Sequence, residues 1–507
     1  MGQKSRFYVE IRTLNTRVTG SCFVCKIAFS DCTKKFFLVD CGMFQERENQ
    51  EYNEKLTFNP EDVCFTLLTH NHVDHVGRVP LLYRRGCTAN VYASIGTAMA
   101  LPINLEDSLR IIQERAKLAR KNAQKFQKNN GNGRKRKLCS CDEVEFSESN
   151  LSYSPLFGVN DVKVALEHLH SVPFGKWITD PKLPQVRFKL YPNAHLPGAA
   201  MILVEVTDVN LGQKMNLLFL GDWNAQNLFQ GSFDFPKELR DIPLHVITES
   251  TYGSTNKSEI KYCLRDNIIQ AVKEGKVVLL PVISQFRAQE MLWYVKDMQE
   301  YGDIPKETPV FFCGPLGVKY AHLYSSKEFP CINPKLKDFF PQNLEFVNLS
   351  GNCNLSEIQQ AIYIVTGGMG SNGPSTAYLR ALLPCPNVMI HFSSYCAEDT
   401  LGRRLKETEE EGQKTVKIGG VEVAVVAEVK FTSELSGHAK ADELLDFLSG
   451  FKKIKALMVT HGEVEAKQQF ANLLEEANIA KEVTVLDRQN YVRLNPWGIL
   501  ENKVWQE

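Results

Sequence analysis

Three histidines and one aspartate crowd into six residues, His70-Asn71-His72-Val73-Asp74-His75, directly after the apolar run Cys64-Phe65-Thr66-Leu67-Leu68. Imidazole nitrogens and a carboxylate are the donors zinc prefers. In a loop leaving a sheet, alternate side chains can point to two neighbouring places. That division suits two metal ions, nitrogen ligands for one and a carboxylate plus a nitrogen for the other. The competing reading is a polar loop rich in histidine by chance. The chain has only 11 histidines in 507 residues, so four ligand-type residues at this spacing favour the metal.

The elements that must position such a loop read as short strands. From Phe7 to Asp40 the pattern alternates with Gly and Asp punctuation. Phe36-Phe37-Leu38-Val39-Asp40 reads as a buried strand ending in an acid. Asn104 to Lys128 reads as a helix, with Leu105, Leu109, Ile112, Ala116 and Ala119 at helical spacing. Strands return at Leu217–Leu220 and Val246–Thr248. After Gly253 the apolar strands Val277–Pro281, Pro309–Phe312, Ala361–Val365 and Val388–Phe392 alternate with helices, the pattern of a parallel sheet. Beyond about Phe431 the chain ends in strand, helix and strand.

Composition excludes several classes. The 507 residues suggest two to three domains, and a 43% hydrophobic fraction supports buried cores. No apolar leader and no run of about eighteen apolar residues is seen, so a cytoplasmic protein without a membrane span is expected. Fourteen cysteines are then expected to be reduced thiols. Cys22-x-x-Cys25 and Cys139-x-Cys141 could form a zinc knuckle, but no further ligand completes a familiar spacing, and Cys22 reads as a small hydrophobe in a strand. The net charge is zero, so any electropositive surface must be local. One such segment exists: from Arg115 to Lys137 there are ten Lys or Arg and no acid. It reads equally as a phosphate-binding arm or as a solvated insertion.

Downstream residues carry a family resemblance. H-x-H-x-D-H after an apolar strand resembles the signature of the metallo-β-lactamase fold, and further motifs follow in order. They are Asp40 in Leu38-Val39-Asp40-Cys41-Gly42, His195 in Asn193-Ala194-His195-Leu196-Pro197-Gly198, and Asp222 in Gly221-Asp222-Trp223. Thr248-Glu249-Ser250-Thr251-Tyr252-Gly253, Leu435-Ser436-Gly437-His438-Ala439 and Thr460-His461-Gly462-Glu463 are similar to motifs A, B and C of the β-CASP nucleases. Phe286-Arg287-Ala288-Gln289-Glu290, with Phe in place of Gly, Gly367-Gly368-Met369 and Tyr395 to Arg403 are similar to parts of the inserted β-CASP domain.

The resemblance implies an α/β fold: a metallo-β-lactamase αββα sandwich with an inserted parallel-sheet β-CASP domain. The expected divisions are 1–253 (with a basic insertion at about 115–148), 254–432 and 433–507. It implies two zinc ions per chain, one held by His70, His72 and His195, the other by Asp74, His75 and His461, with Asp222 bridging. Asp74 and Asp222 would thus be catalytic as well as ligating. A water activated between two such metals attacks phosphorus in line. His438 would protonate the leaving oxygen and Glu249 would orient it. Hydrolysis of RNA would leave a 5′-phosphate and a 3′-hydroxyl.

In this family, histidine at motif C resembles the RNA-acting branch, whereas an apolar residue there marks the DNA-acting one. RNA, single-stranded, is therefore the expected partner. Gly368, Ser393 and Ser394 could present donors to a substrate phosphate. Binding of a terminal phosphate there would add 5′-3′ exonuclease to endonuclease action. A small-molecule metallo-hydrolase, a DNA-processing nuclease and a non-catalytic RNA-binding subunit are the alternatives, and a homodimer is left open. Lys440 and Ala441 replace the glycine and acid common after motif B. The resemblance is to β-CASP ribonucleases of minimal prokaryotic type, similar to RNase J and the cleavage-and-polyadenylation endonuclease; no KH module and no long C-terminal domain is evident, which leaves assignment to either of those two incomplete.

Overall fold

The computed structural model describes residues 7–15, 17–130, 155–347 and 359–504. Most of the basic insertion and the Cys139/Cys141 pair lie outside them.

Two mixed sheets pack face to face. The first runs, edge to edge, Gly498–Val504, Asn490–Asn495, Tyr8–Thr13, Phe23–Ala28, Lys34–Val39, Val63–Leu67, Asn90–Ser94 and Leu169–Val172. The second runs Val483–Val485, Ile454–Val459, Leu244–Thr248, Gln213–Phe219, Ala200–Asp208, Val186–Pro192 and Trp177–Thr179. Strand alternation divides the side chains between layers. Phe37, Val39, Leu217 and Phe219 fill the space between the sheets. Leu38 turns outward to the helices Val79–Arg84, Ile95–Asn130 and Val159–Glu167, whereas Leu218 packs towards Ala441–Ser449 and Val464–Glu476. The result is four layers, αββα, and the last eighty residues supply strands to both sheets.

The third sheet has six strands, all parallel, in the order Leu344–Val347, Val310–Cys313, Ile362–Thr366, Val277–Val282, Val388–Phe392 and Glu428–Phe431. Val278, Leu280 and Val282 face the helices Leu264–Lys273, Arg287–Tyr301 and Pro315–Ser325. Val277 and Leu279 face Ser375–Leu382 and Leu401–Glu410 on the other side. Both faces are covered, which explains why these strands are continuous apolar runs rather than alternating ones.

One element departs from expectation. The helix predicted from Asn104 begins at Ile95 and passes through Pro102. A proline inside a helical pattern reads as a boundary because it removes one N–H and crowds the preceding turn. Here the residues before it are anchored in two cores: Ala100 in that of the third sheet and Leu101 in that beneath the first. Packing outweighs the lost bond. No helix among the described residues is long and apolar enough to cross a membrane.

Candidate metal centre

Parallel pairing gathers the motifs at one edge. Val39 pairs with Leu67, so the segments leaving these strands put Asp40 beside Thr69 and His70. In the second sheet, Phe219 pairs with Ile247 and Thr248 with Val459. Asp222, Glu249 and His461 therefore leave neighbouring strand ends together. His195 lies in the connection before Ala200, whose N–H donates to the Thr69 carbonyl at 2.8 Å. His438 is brought in by the Ala439 N–H, which donates to the Trp223 carbonyl at 2.9 Å.

Two ligand groups result: His70, His72, His195 and Asp222; and Asp74, His75, Asp222 and His461. In each, the donor atoms lie within 4.8 Å of one another. Asp222 divides between them. Its Oδ2 is 3.7 Å from Nε2 of both His70 and His195, and its Oδ1 is 3.2 Å from His75 Nε2 and 3.3 Å from His461 Nε2.

Except at His72, whose Nε2 has no hydrogen-bond partner, the outer ring nitrogens are already committed, which constrains what the inner ones can do. His195 Nδ1–H donates to the Gly437 carbonyl at 2.9 Å. His75 Nδ1–H donates to Asp40 Oδ2 at 2.7 Å. Asp40 also accepts from the Thr69 N–H and hydroxyl, both at 2.8 Å, leaving the Thr69 oxygen to face His70 Nδ1 at 3.1 Å. Thr251 Oγ1 meets His461 Nδ1 at 3.1 Å. In their neutral forms His70, His75 and His195 therefore present lone pairs inward. His72 Nδ1 lies 3.1 Å from Nε2 of both His70 and His195, and one proton cannot satisfy three lone pairs. Nε2 of His75, Nε2 of His461 and Oδ1 of Asp222 are buried without a hydrogen-bond partner. Cations fit this donor set: buried, nitrogen- and carboxylate-rich, and otherwise unsatisfied.

Electrostatics agree for the three-histidine group, whereas at His75 burial is outweighed by Asp222 and Asp40, which raise it well above the usual range. Burial pushes His70 and His195 well below the usual histidine range and His72 down to about 3, so these rings are neutral ligands. Burial raises Asp222, but His461, His75 and His70 outweigh it and hold the carboxyl well below its ordinary range. Burial lowers His438, yet the adjoining Glu249 carboxylate outweighs that and raises it. His438 Nδ1 lies 2.9 Å from Glu249 Oε2, and its Nε2 faces Asp222 Oδ2 at 4.0 Å. Glu249 is held in turn by the Trp223 N–H at 2.5 Å.

Gly368 and Ser393 leave the C-terminal ends of Ile362–Thr366 and Val388–Phe392, which flank Val277–Val282, and Ser394 follows. The Ser393 carbonyl accepts the N–H of Leu435, three residues before His438. Sequence reasoning missed the roles of Thr69, Thr251 and the Gly437 carbonyl. Nothing local marks them, since a hydroxyl or carbonyl acquires its partner only from the fold. Cys22 and Cys25 are buried free thiols, and no cysteine joins a ligand group among the described residues.

Fold and site define a metal-dependent hydrolase of the metallo-β-lactamase superfamily, and the chain belongs to its β-CASP branch. Family models match as the metallo-beta-lactamase superfamily over residues 31–113, the Beta-Casp domain over 288–405, and the Zn-dependent metallo-hydrolase RNA specificity domain over 422–486. Ribonuclease TTHA0252 of Thermus thermophilus is 28% identical over 450 residues, 86% of this chain and 90% of the relative. RNase aCSPSF2 of Saccharolobus solfataricus is 22% identical, covering 87% of this chain and 77% of its own. Transcription termination factor FttA of Pyrococcus horikoshii is 25% identical over 85% of this chain, which spans only 63% of that factor.

Proposed function

We propose that this chain is a zinc-dependent ribonuclease that hydrolyses RNA phosphodiester bonds and leaves 5′-phosphate and 3′-hydroxyl ends. The observation that carries this reading is the Glu249–His438 pair, placed with His438 Nε2 directed at the carboxylate shared by both ligand groups. Hydrolysis of small thioesters or lactones does not require such a pair. Relatives named as ribonucleases, and the RNA specificity domain matched over 422–486, support the substrate.

Seven residues would hold two ions: His70, His72 and His195; Asp74, His75 and His461; and Asp222 between them. When bound, such ions neutralise charge on phosphoryl oxygens and lower the pKa of water. The chain's own part is to present imidazole nitrogens and carboxylates, and to keep a proton at His438 Nε2. His438 gives that proton to the leaving 3′-oxygen, while Glu249 holds the opposite ring nitrogen. Gly368, Ser393 and Ser394, at the C-terminal ends of two strands of the third sheet, are the proposed contacts for a substrate phosphate. Residues 254–432 are the proposed extent of the inserted unit, and the cytoplasm is the proposed compartment.

The test is RNA cleavage by wild type and Asp74→Ala, with zinc content measured on both. Wild type should hold about two zinc per chain and cut linear RNA, whereas the variant should not cut. Full activity in Asp74→Ala overturns the assignment. A circular RNA substrate separates endonuclease from exonuclease action, since a circle has no end to start from.

A further inference from the structure

Arg287 opens the helix Arg287–Tyr301 in the inserted unit, and it is buried, 7% exposed. Its guanidinium lies 4.3 Å over the ring of Phe286 and pairs through Nη1 with Glu290, 3% exposed, one turn along. A buried ion pair serving only its own helix would close on itself. This one does not: Nη2 leaves the unit and donates to the backbone carbonyl of His195 at 2.9 Å. Phe286, at φ +70°, breaks the backbone direction immediately before Arg287, and its N–H is taken up by the Gln289 side chain at 2.6 Å.

The same point is crowded from the third side by Gly437. A Cβ there would stand 2.9 Å from His195 Nδ1 and 3.3 Å from Arg287 Nη2, so only glycine lets the three segments close up. His195 is thus gripped twice. The Gly437 carbonyl fixes its ring, and Arg287 fixes its backbone. The rigid fork of arginine suits this, since one arm serves the carboxylate and the other the carbonyl.

We propose that Arg287 is a positioning residue that holds His195 in place, so that the docking of the inserted unit sets the metal affinity of the neighbouring centre. This rests on the reading of His195 as a metal ligand.

The test is zinc affinity by chelator competition, with denaturant stability of the metal-free protein measured in parallel, on wild type, Arg287→Met, Arg287→Lys and the double variant Arg287→Met/Glu290→Leu. Arg287→Met leaves Glu290 buried and unpaired, so it loses stability. The double variant removes both charges and should recover that stability. It should nevertheless hold one zinc about 10–100-fold more weakly, the usual cost of losing a group that orients a ligand. Wild-type zinc affinity in a stable double variant makes Arg287 merely half of a structural ion pair and overturns the proposal. If the double variant does not fold, Arg287→Lys decides. It keeps a charge beside Glu290 but lacks the two-armed fork, so weakened zinc supports the proposal and unchanged zinc overturns it. If wild type binds no zinc, the reading of His195 as a ligand falls, and this proposal with it. Binding by wild type with equal binding by the variants overturns this proposal alone.

Discussion

Glu249 and His438 stand 189 positions apart in the chain and meet at 2.9 Å, on the side of Asp222 where its Oδ2 is directed. His438→Ala removes the proton donor but none of the ligand groups. Its cleavage rate is expected to fall by about 10²–10⁴ while zinc content stays at the wild-type level. Glu249→Gln leaves one oxygen to accept from the His438 ring but loses the charge that favours the protonated form, so a smaller fall than in His438→Ala is expected. Single-turnover rates with parallel zinc analysis check both. An unchanged rate in His438→Ala rejects its role as acid and leaves the metal site standing.

Asp40 touches no ligand atom directed inward, yet it accepts from His75 Nδ1–H and from both donors of Thr69. Asp40→Asn turns one accepting oxygen into an NH₂ group, which confronts either the Thr69 backbone N–H or, at the other oxygen, the imidazole N–H and the Thr69 hydroxyl together. Zinc affinity is expected to drop by about 10–100-fold. Chelator competition reads this directly, and a wild-type affinity would show that His75 is oriented without Asp40.

Gly42 packs against the backbone of the histidine loop. A Cβ at this position would lie 1.5 Å from the Asp74 carbonyl oxygen, and that oxygen already accepts the Ser21 N–H at 2.8 Å. The neighbouring Cys41 and Met43 N–H groups are bonded to His75 and Val73, so neither segment is free to retreat. Gly42→Ala is expected to destabilise the protein by about 3 kcal/mol or more. Denaturant unfolding of the metal-free protein gives the value, and a loss below about 1 kcal/mol would mean that the loop yields.

Lys440 is buried, 5% exposed, with its Nζ 3.2 Å from the centre of the Tyr252 ring and no hydrogen-bond partner. Burial pulls its pKa down to about 8 against partial support from Glu443, Glu249 and Asp442. A depressed lysine destabilises the fold fully below its folded pKa. That penalty fades as pH rises towards the unfolded value of about 10.4. Lys440→Met is therefore expected to be more stable than wild type at pH 7, by about 1–3 kcal/mol. The gap should shrink between pH 8 and pH 10. Denaturant midpoints at pH 7 and 9.5 test this, and a constant gap would show that the ammonium is not what burial penalises.

Much of this protein was legible in the linear chain. The crowded His70–His75 segment, the apolar runs from Val277 to Phe392 and the ordered motifs point to the αββα sandwich and its inserted parallel sheet. Side-chain period and local ligand spacing belong to contiguous residues, so they survive in one dimension. The start of the long helix did not. Pro102 reads as a stop, and only the packing of Ala100 and Leu101 into two separate cores carries the helix back to Ile95. Nor could the sequence say which oxygen of Asp222 faces which histidines, that Thr69 and Thr251 back the ligand rings, or that Arg287 reaches from the inserted unit to His195. Apart from Thr69, which adjoins His70, these relations join residues tens to hundreds of positions apart. They depend on strand register and on how two units are docked, and tertiary packing alone determines both.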